Sequence, residues 1–198
     1  MAYVLDMFQR IPFTALTDLQ WDALRPFLAQ ASRAGRPITD PRRRMDGMLM
    51  LLSTDAPWRE VPARYGDAGT VARHFRRLTA AGLWERLLQA LADAGQPLQS
   101  LRRLIFRGAR RAYRLRGLGL IVLARRLRMP GALPGPAWMV PDPDLSETLV
   151  SLQMRYVKNF GLKGFAAYVL LHGRMLRNLL TLAGGRRHIP RSIRLLAA

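Results

Sequence analysis

The sequence predicts an all-α protein, on three observations. Apolar residues recur at three- and four-residue spacing along most of the chain. Helix-start signals stand just ahead of those runs, and no segment shows the alternating pattern of a strand. With 198 residues, 49% of them apolar, the chain can bury a core as one domain or two small ones.

Thr17-Asp18-Leu19-Gln20 reads as a capping box, with Thr17 as N-cap and Gln20 reaching back. The first helix runs from there to about Leu28, its end irregular because Pro26 lacks an N–H. Residues 31–41 form a loop. Asp40 caps a second helix with Pro41 at its first position, and Met45, Met48, Leu49 and Leu52 form its apolar stripe to about Thr54.

Pro57 and Pro62 bracket a turn containing Trp58, and residues 63–65 form a short helix. Gly66-Asp67-Ala68-Gly69 is a turn that leaves Thr70 to cap the third helix. That helix buries Val71, Phe75 and Leu78, with Arg73, His74, Arg76 and Arg77 outside. Gly82 breaks it, and Leu83 to Ala92 form a fourth around Trp84, Leu87, Leu88 and Leu91. Trp58 and Trp84 sit in apolar context and belong to the core.

Gly95-Gln96-Pro97 marks a boundary between a domain at 1–95 and a second region at 96–198. The second region opens on a long amphipathic helix. Leu101, Leu104, Ile105, Ala112 and Leu115 share one face, and Arg103, Arg107, Arg110, Arg111 and Arg114 lie opposite, flanked by Phe106 and Tyr113. Residues 130–143 hold five prolines and read as an extended connector. Two more helices follow at about 145–160 and 162–183, the second striped by Leu162, Phe165, Val169, Leu176 and Leu180, and the tail from Gly184 is basic and irregular.

Charge is the strongest global signal. Lys plus Arg is 32 against 13 Asp plus Glu, a net of +19, and every cation but Lys158 and Lys163 is arginine. A GC-rich genome enriches arginine, and its planar fork also suits phosphate. Residues 1–92 carry a net of +4 and residues 93–198 a net of +15, an asymmetry that points to a nucleic-acid or other anionic partner for the second half. Cysteine is absent, which removes disulfides, zinc–cysteine sites and thiol catalysis. His74, His172 and His188 lack metal-ligand spacing, so no metal and no cofactor is expected. The apolar run from Gly117 to Ala124 is far short of the ~20 residues of a membrane span, and the first ten residues lack the pattern of a signal peptide.

Four pieces, in order and spacing, carry a family resemblance: "LTDLQWDALRPFL" (16–28), "GRPITDPRRRMDGMLMLL" (35–52), "APWREVPARYG" (56–66) and "TVARHFRRLTAAGLWERLLQAL" (70–91). Over about residues 14–92 the chain resembles the DNA-binding domain of bacterial insertion-element transposases of the DDE type. Two positions depart from the family pattern: Asp67-Ala68-Gly69 stands where a tryptophan usually precedes "TV", and Leu78 where tryptophan is frequent. The resemblance implies a small helix-turn-helix-like bundle, here followed by the basic helical region. In the family an RNase H-like sheet with three metal-binding carboxylates follows that bundle. After residue 92 this chain has only Asp93, Asp142, Asp144 and Glu147, so the catalytic domain is expected to be missing and the chain not to be an enzyme.

On this reading the third helix contacts duplex DNA through Thr70, Arg73, His74, Arg76 and Arg77. Arg42, Arg43 and Arg44 open the second helix, where cations oppose the helix dipole, and suggest an external phosphate. Arg103, Arg107, Arg110, Arg111 and Arg114 would track phosphates or a partner such as RNA polymerase or a second protomer. The expected role is a transposase-derived, non-catalytic DNA-binding protein of the bacterial cytoplasm and nucleoid, acting in transcriptional regulation. A truncated or split transposase with its catalytic half elsewhere, and a basic RNA- or membrane-surface-binding protein, remain alternatives.

Overall fold

The computed structural model describes residues 11–29, 39–93 and 97–185, and these are helical with no strand among them. Within them seven helices follow in order: α1 (Asp18–Ala29), α2 (Pro41–Thr54), α3 (Ala68–Ala80), α4 (Leu83–Asp93), α5 (Arg102–Arg116), α6 (Leu118–Arg126) and α7 (Pro143–Gly184). The greater part of the loop expected at 31–41, the Gly95-Gln96 boundary and the tail beyond Gly185 lie outside the described residues.

Local signals start the early helices where expected. The Thr17 N–H donates to Gln20 Oε1 at 3.1 Å, and the Gln20 N–H donates to Thr17 Oγ1 at 3.2 Å, which closes the capping box. Pro26 lies inside α1, which continues to Ala29. The Asp40 carboxylate accepts from the Arg43 N–H at 2.9 Å and starts α2 with Pro41 in its first turn. Short turns at Trp58–Glu60 and Ala63–Tyr65 then lead to α3.

The start of α3 differs from expectation. Asp67, not Thr70, is the N-cap: its Oδ2 accepts from both the Thr70 N–H at 2.8 Å and the Thr70 hydroxyl at 3.1 Å. Ala68 and Gly69 are therefore the first helical residues rather than a turn. An aspartate three residues ahead of a free N–H is as strong a cap as threonine, and Gly66 at φ 106 aims the chain into it.

The chain divides into two compact units, Met1–Pro134 and Gly135–Ala198. The division falls well beyond residue 95, because α5 is part of the first core. It packs against α2, α3 and α4, burying Leu101, Ile105, Ala109 and Ala112. Leu104 is only half-buried and Leu115 is exposed, so the buried stripe is rotated from the expected one toward Arg107 and Gly108. A row of aromatic rings runs into the core of this unit from Trp58, which is half-buried rather than a core residue as expected, through the buried Phe75 and Trp84. Trp58 and Phe75 have ring centres 5.0 Å apart, and Phe75 and Trp84 5.5 Å apart. The α5 helix holds both ends of the row: Arg111 stands 4.2 Å over Trp58, and Gly108 lies against Trp84. Trp84 is 1% exposed, and its indole N–H donates to the Thr79 hydroxyl at 2.9 Å.

Gly117, at φ 61, ends α5 and admits α6, a separate helix where the sequence pattern shows only an apolar run. The proline-rich stretch is not an extended connector either. It makes two short turns, Pro130–Ala132 and Ala137–Met139, with Met129, Ala132, Leu133, Met139 and Val140 buried. Phe106 lies against Gly131, with the Arg102 guanidinium 5.2 Å from its ring centre, so this aromatic serves packing.

The second unit is an antiparallel helical hairpin. Gly161, at φ 67 and ψ 179, breaks α7 into arms at 143–160 and 162–184. The Asp142 N–H donates to the Ala183 carbonyl at 2.7 Å at the open end, and Tyr156 and Tyr168 stack at 4.4 Å toward the bend.

Candidate nucleic-acid interface

The exposed side of α3 is basic. Val71, Ala72, Phe75, Leu78 and Thr79 face inward, leaving Arg73, Arg76 and Arg77 outside. Arg73 reaches back to the Thr70 hydroxyl at 3.1 Å, and Arg76 has no hydrogen-bond or ionic partner among the described residues. Thr70 is half-buried, its hydroxyl held between Asp67 and Arg73. The backbone and hydroxyl donations of Thr70 hold the Asp67 carboxyl below its usual range, so the cap stays ionised. By contrast the exposed side of α4 presents Gln89, Ala92 and Asp93.

His74 is not on that surface. It is 7% exposed, its Nδ1 3.2 Å from Arg77 Nη2. Burial first, then the charges of Arg77 and Arg44, push its pKa from 6.5 to about 4. It is therefore neutral at physiological pH and orients Arg77 from beneath. The expectation of an exposed histidine fails because its i, i+3 and i+4 neighbours fix only the helix face, while α2 supplies the cover.

The arginine triplet of α2 divides. Arg42 donates to Asp18 Oδ1 at 2.6 Å and to the Leu16 carbonyl, tying α2 to the start of α1. Arg43 donates through Nε to the Arg64 carbonyl in the turn before α3. Gly47 lets that turn approach: a Cβ there would meet Tyr65 Cβ at 2.5 Å. Arg44 is half-buried, its charge felt at His74. Arg43, Arg44 and Arg64 thus border the basic side of α3.

The α5 arginines also divide. Arg107 is 7% exposed and donates to the carbonyls of Leu52 and Ser53, the C-terminal carbonyls of α2. Arg111 donates to the Ala56 carbonyl at 2.9 Å besides covering Trp58. Burial draws both guanidinium groups down from their usual pKa. With Arg110, Arg114, Tyr113, Asp55 and Pro134 they line a cavity of about 530 Å³. Arg103 and Arg114 are exposed.

Several carboxylates serve structure, while Asp144 and Glu147 are exposed. Asp40, Asp67 and Asp142 cap helices. Asp46, buried with its pKa raised by desolvation, accepts from the Leu16 N–H at 2.9 Å. Glu85 pairs with Arg116 at 2.5 Å. Among the described residues no three His, Asp or Glu side chains gather as a metal site.

A family model described as "Putative transposase of IS4/5 family (DUF4096)" matches residues 16–88. Over this N-terminal segment the chain is similar to that transposase family. The match takes in α1, α2, α3 and most of α4, so the matched segment includes the basic helix. The chain is 32% identical over 78 residues to "Uncharacterized protein y4sN" of Sinorhizobium fredii, covering 39% of this chain and 62% of that protein. It is 31% identical over 83 residues to "Insertion element IS402 uncharacterized 16.2 kDa protein" of Burkholderia cepacia, covering 38% and 56%. The chain thus spans less than two thirds of the length of these curated relatives. No solved structure matches the chain. Among the described residues no helix is long and apolar enough to cross a membrane.

Proposed function

We propose that this transposase-derived protein binds double-stranded DNA through α3 without cutting it, and acts as a regulator of transcription at the bacterial nucleoid. The observation that carries this is the exposed face of α3, where Arg73, Arg76 and Arg77 stand together and the acids nearest in sequence, Asp67 and Glu85, are engaged as the α3 cap and with Arg116. Such a row offers several charge-assisted hydrogen bonds to phosphate oxygens or base edges. The connection between α2 and α3 spans residues 55–67, longer than the 3–4 residues of a helix-turn-helix turn. The arginine row and the family segment, rather than the turn, therefore support DNA binding. A role in binding rather than cutting is supported by the carboxylates: Asp40, Asp67 and Asp142 are engaged as helix caps, and no three acids or histidines gather as a metal site among the described residues.

Fluorescence anisotropy of the full chain on duplex fragments, across a salt series, tests this. Replacing Arg73, Arg76 and Arg77 with Gln should weaken binding and lower the log–log salt slope by ~0.9 for each phosphate that is no longer neutralised. An unchanged affinity and slope in the triple variant would remove α3 as the DNA-reading element. Magnesium- or manganese-dependent nicking by the purified chain would overturn the non-catalytic role and favour a transposase.

A further inference from the structure

The hairpin of the second unit is short of interior. Leu149, Leu176 and Ala183 are its buried apolar side chains, while eleven large apolar side chains among its described residues are exposed, including Val150, Met154, Leu162, Val169 and Leu180. At 100° per residue, Glu147, Val150, Met154 and Lys158 fall on one face of the first arm. On the second arm Leu162, Val169 and Leu180 share a face in the same way.

We propose that this hairpin is the self-association surface of the protein, pairing antiparallel with the hairpin of a second copy into a four-helix bundle. The charge order of the first-arm stripe selects the occupant. It reads acid, apolar, apolar, base along the helix, so a two-fold axis near Leu152 sets Glu147 of each copy opposite Lys158 of the other, and Val150 opposite Met154. A stripe that complements itself only when reversed fits a second copy of this chain better than an acidic protein or an anionic lipid surface, which would repel Glu147. The area fits as well. The five apolar side chains of these two stripes offer on the order of 450 Å², and interfaces that are ~57% apolar then bury about 800 Å² per partner, the size of a stable dimer. A dimer would also place two copies of α3 on one assembly, but the association does not depend on DNA binding.

Sedimentation equilibrium of the full chain tests this over a range of concentrations. A dimer is expected. Glu147→Lys and Lys158→Glu should each weaken it by about tenfold, because each reversal turns two attractive pairs into repulsive ones. The double variant should restore it, with helicity by circular dichroism unchanged throughout. A monomer at every concentration would overturn the proposal, as would a dimer indifferent to both reversals. A monomer that co-sediments with phosphatidylserine vesicles would overturn it in favour of a lipid surface. The Arg73, Arg76 and Arg77 triple variant should still dimerise, which separates this surface from the DNA-binding face.

Discussion

The six-membered ring of Trp84 lies directly over the Cα of Gly108. A methyl group on Gly108 would come 2.5 Å from Trp84 Cε3 and closer still to Cζ3 and Cη2. This contact joins Trp84, inside the segment that the family model matches, to α5, beyond it. The core of the first unit is therefore completed by a helix that the family match does not reach.

Gly108→Ala should destabilise the protein by about 1–3 kcal/mol, since a close-packed interior has no room for the methyl and Trp84 must leave its bond to Thr79. Gly119→Ala is the matched control, because nothing lies within 4 Å of a Cβ there. Urea unfolding followed by tryptophan fluorescence measures both. Equal midpoints for the two variants would contradict this packing.

Arg107 and Arg114 share α5 but should behave as different kinds of residue. Arg107→Met removes the guanidinium donor to the Leu52 carbonyl and one of two donors to the Ser53 carbonyl, which keeps the Ile11 N–H, and should cost about 1–3 kcal/mol. Arg114→Gln, at an exposed position, should change stability by less than about 0.5 kcal/mol. Chemical denaturation at neutral pH resolves the two. A stable Arg107→Met protein would show that this guanidinium is not holding α2.

His74 sets an acid limit to stability. Its pKa is about 4 in the fold against 6.5 free, so between those values the unfolded chain holds more protons. Stability from this group is complete above about pH 6.5 and falls as pH drops toward 4, by up to about 3 kcal/mol. His74→Gln can still meet Arg77 but does not titrate, and should flatten the pH dependence of the unfolding free energy over that window. A variant curve parallel to that of the natural protein would exclude His74 as the cause.

The sequence by itself determined the all-α class, the capping box at Thr17 and Gln20, the Asp40–Pro41 start of α2, the stripe of α4 and the break at Gly161. These are relations between residues three or four apart, or single residues of restricted backbone freedom, and they need no knowledge of distant neighbours. The basic face of α3 was legible for the same reason. Tertiary structure decided which side of each helix is covered. His74 and Arg107 lie on faces that their own helices would leave to solvent, and both are buried because α2 packs nearby. It also decided that Trp58 lies beneath Arg111 and that the core continues through α5 past the apparent boundary at residue 95. Periodicity reveals which side chains share a face, but burial depends on which other helix arrives there, and that is fixed by the packing of segments far apart in the chain.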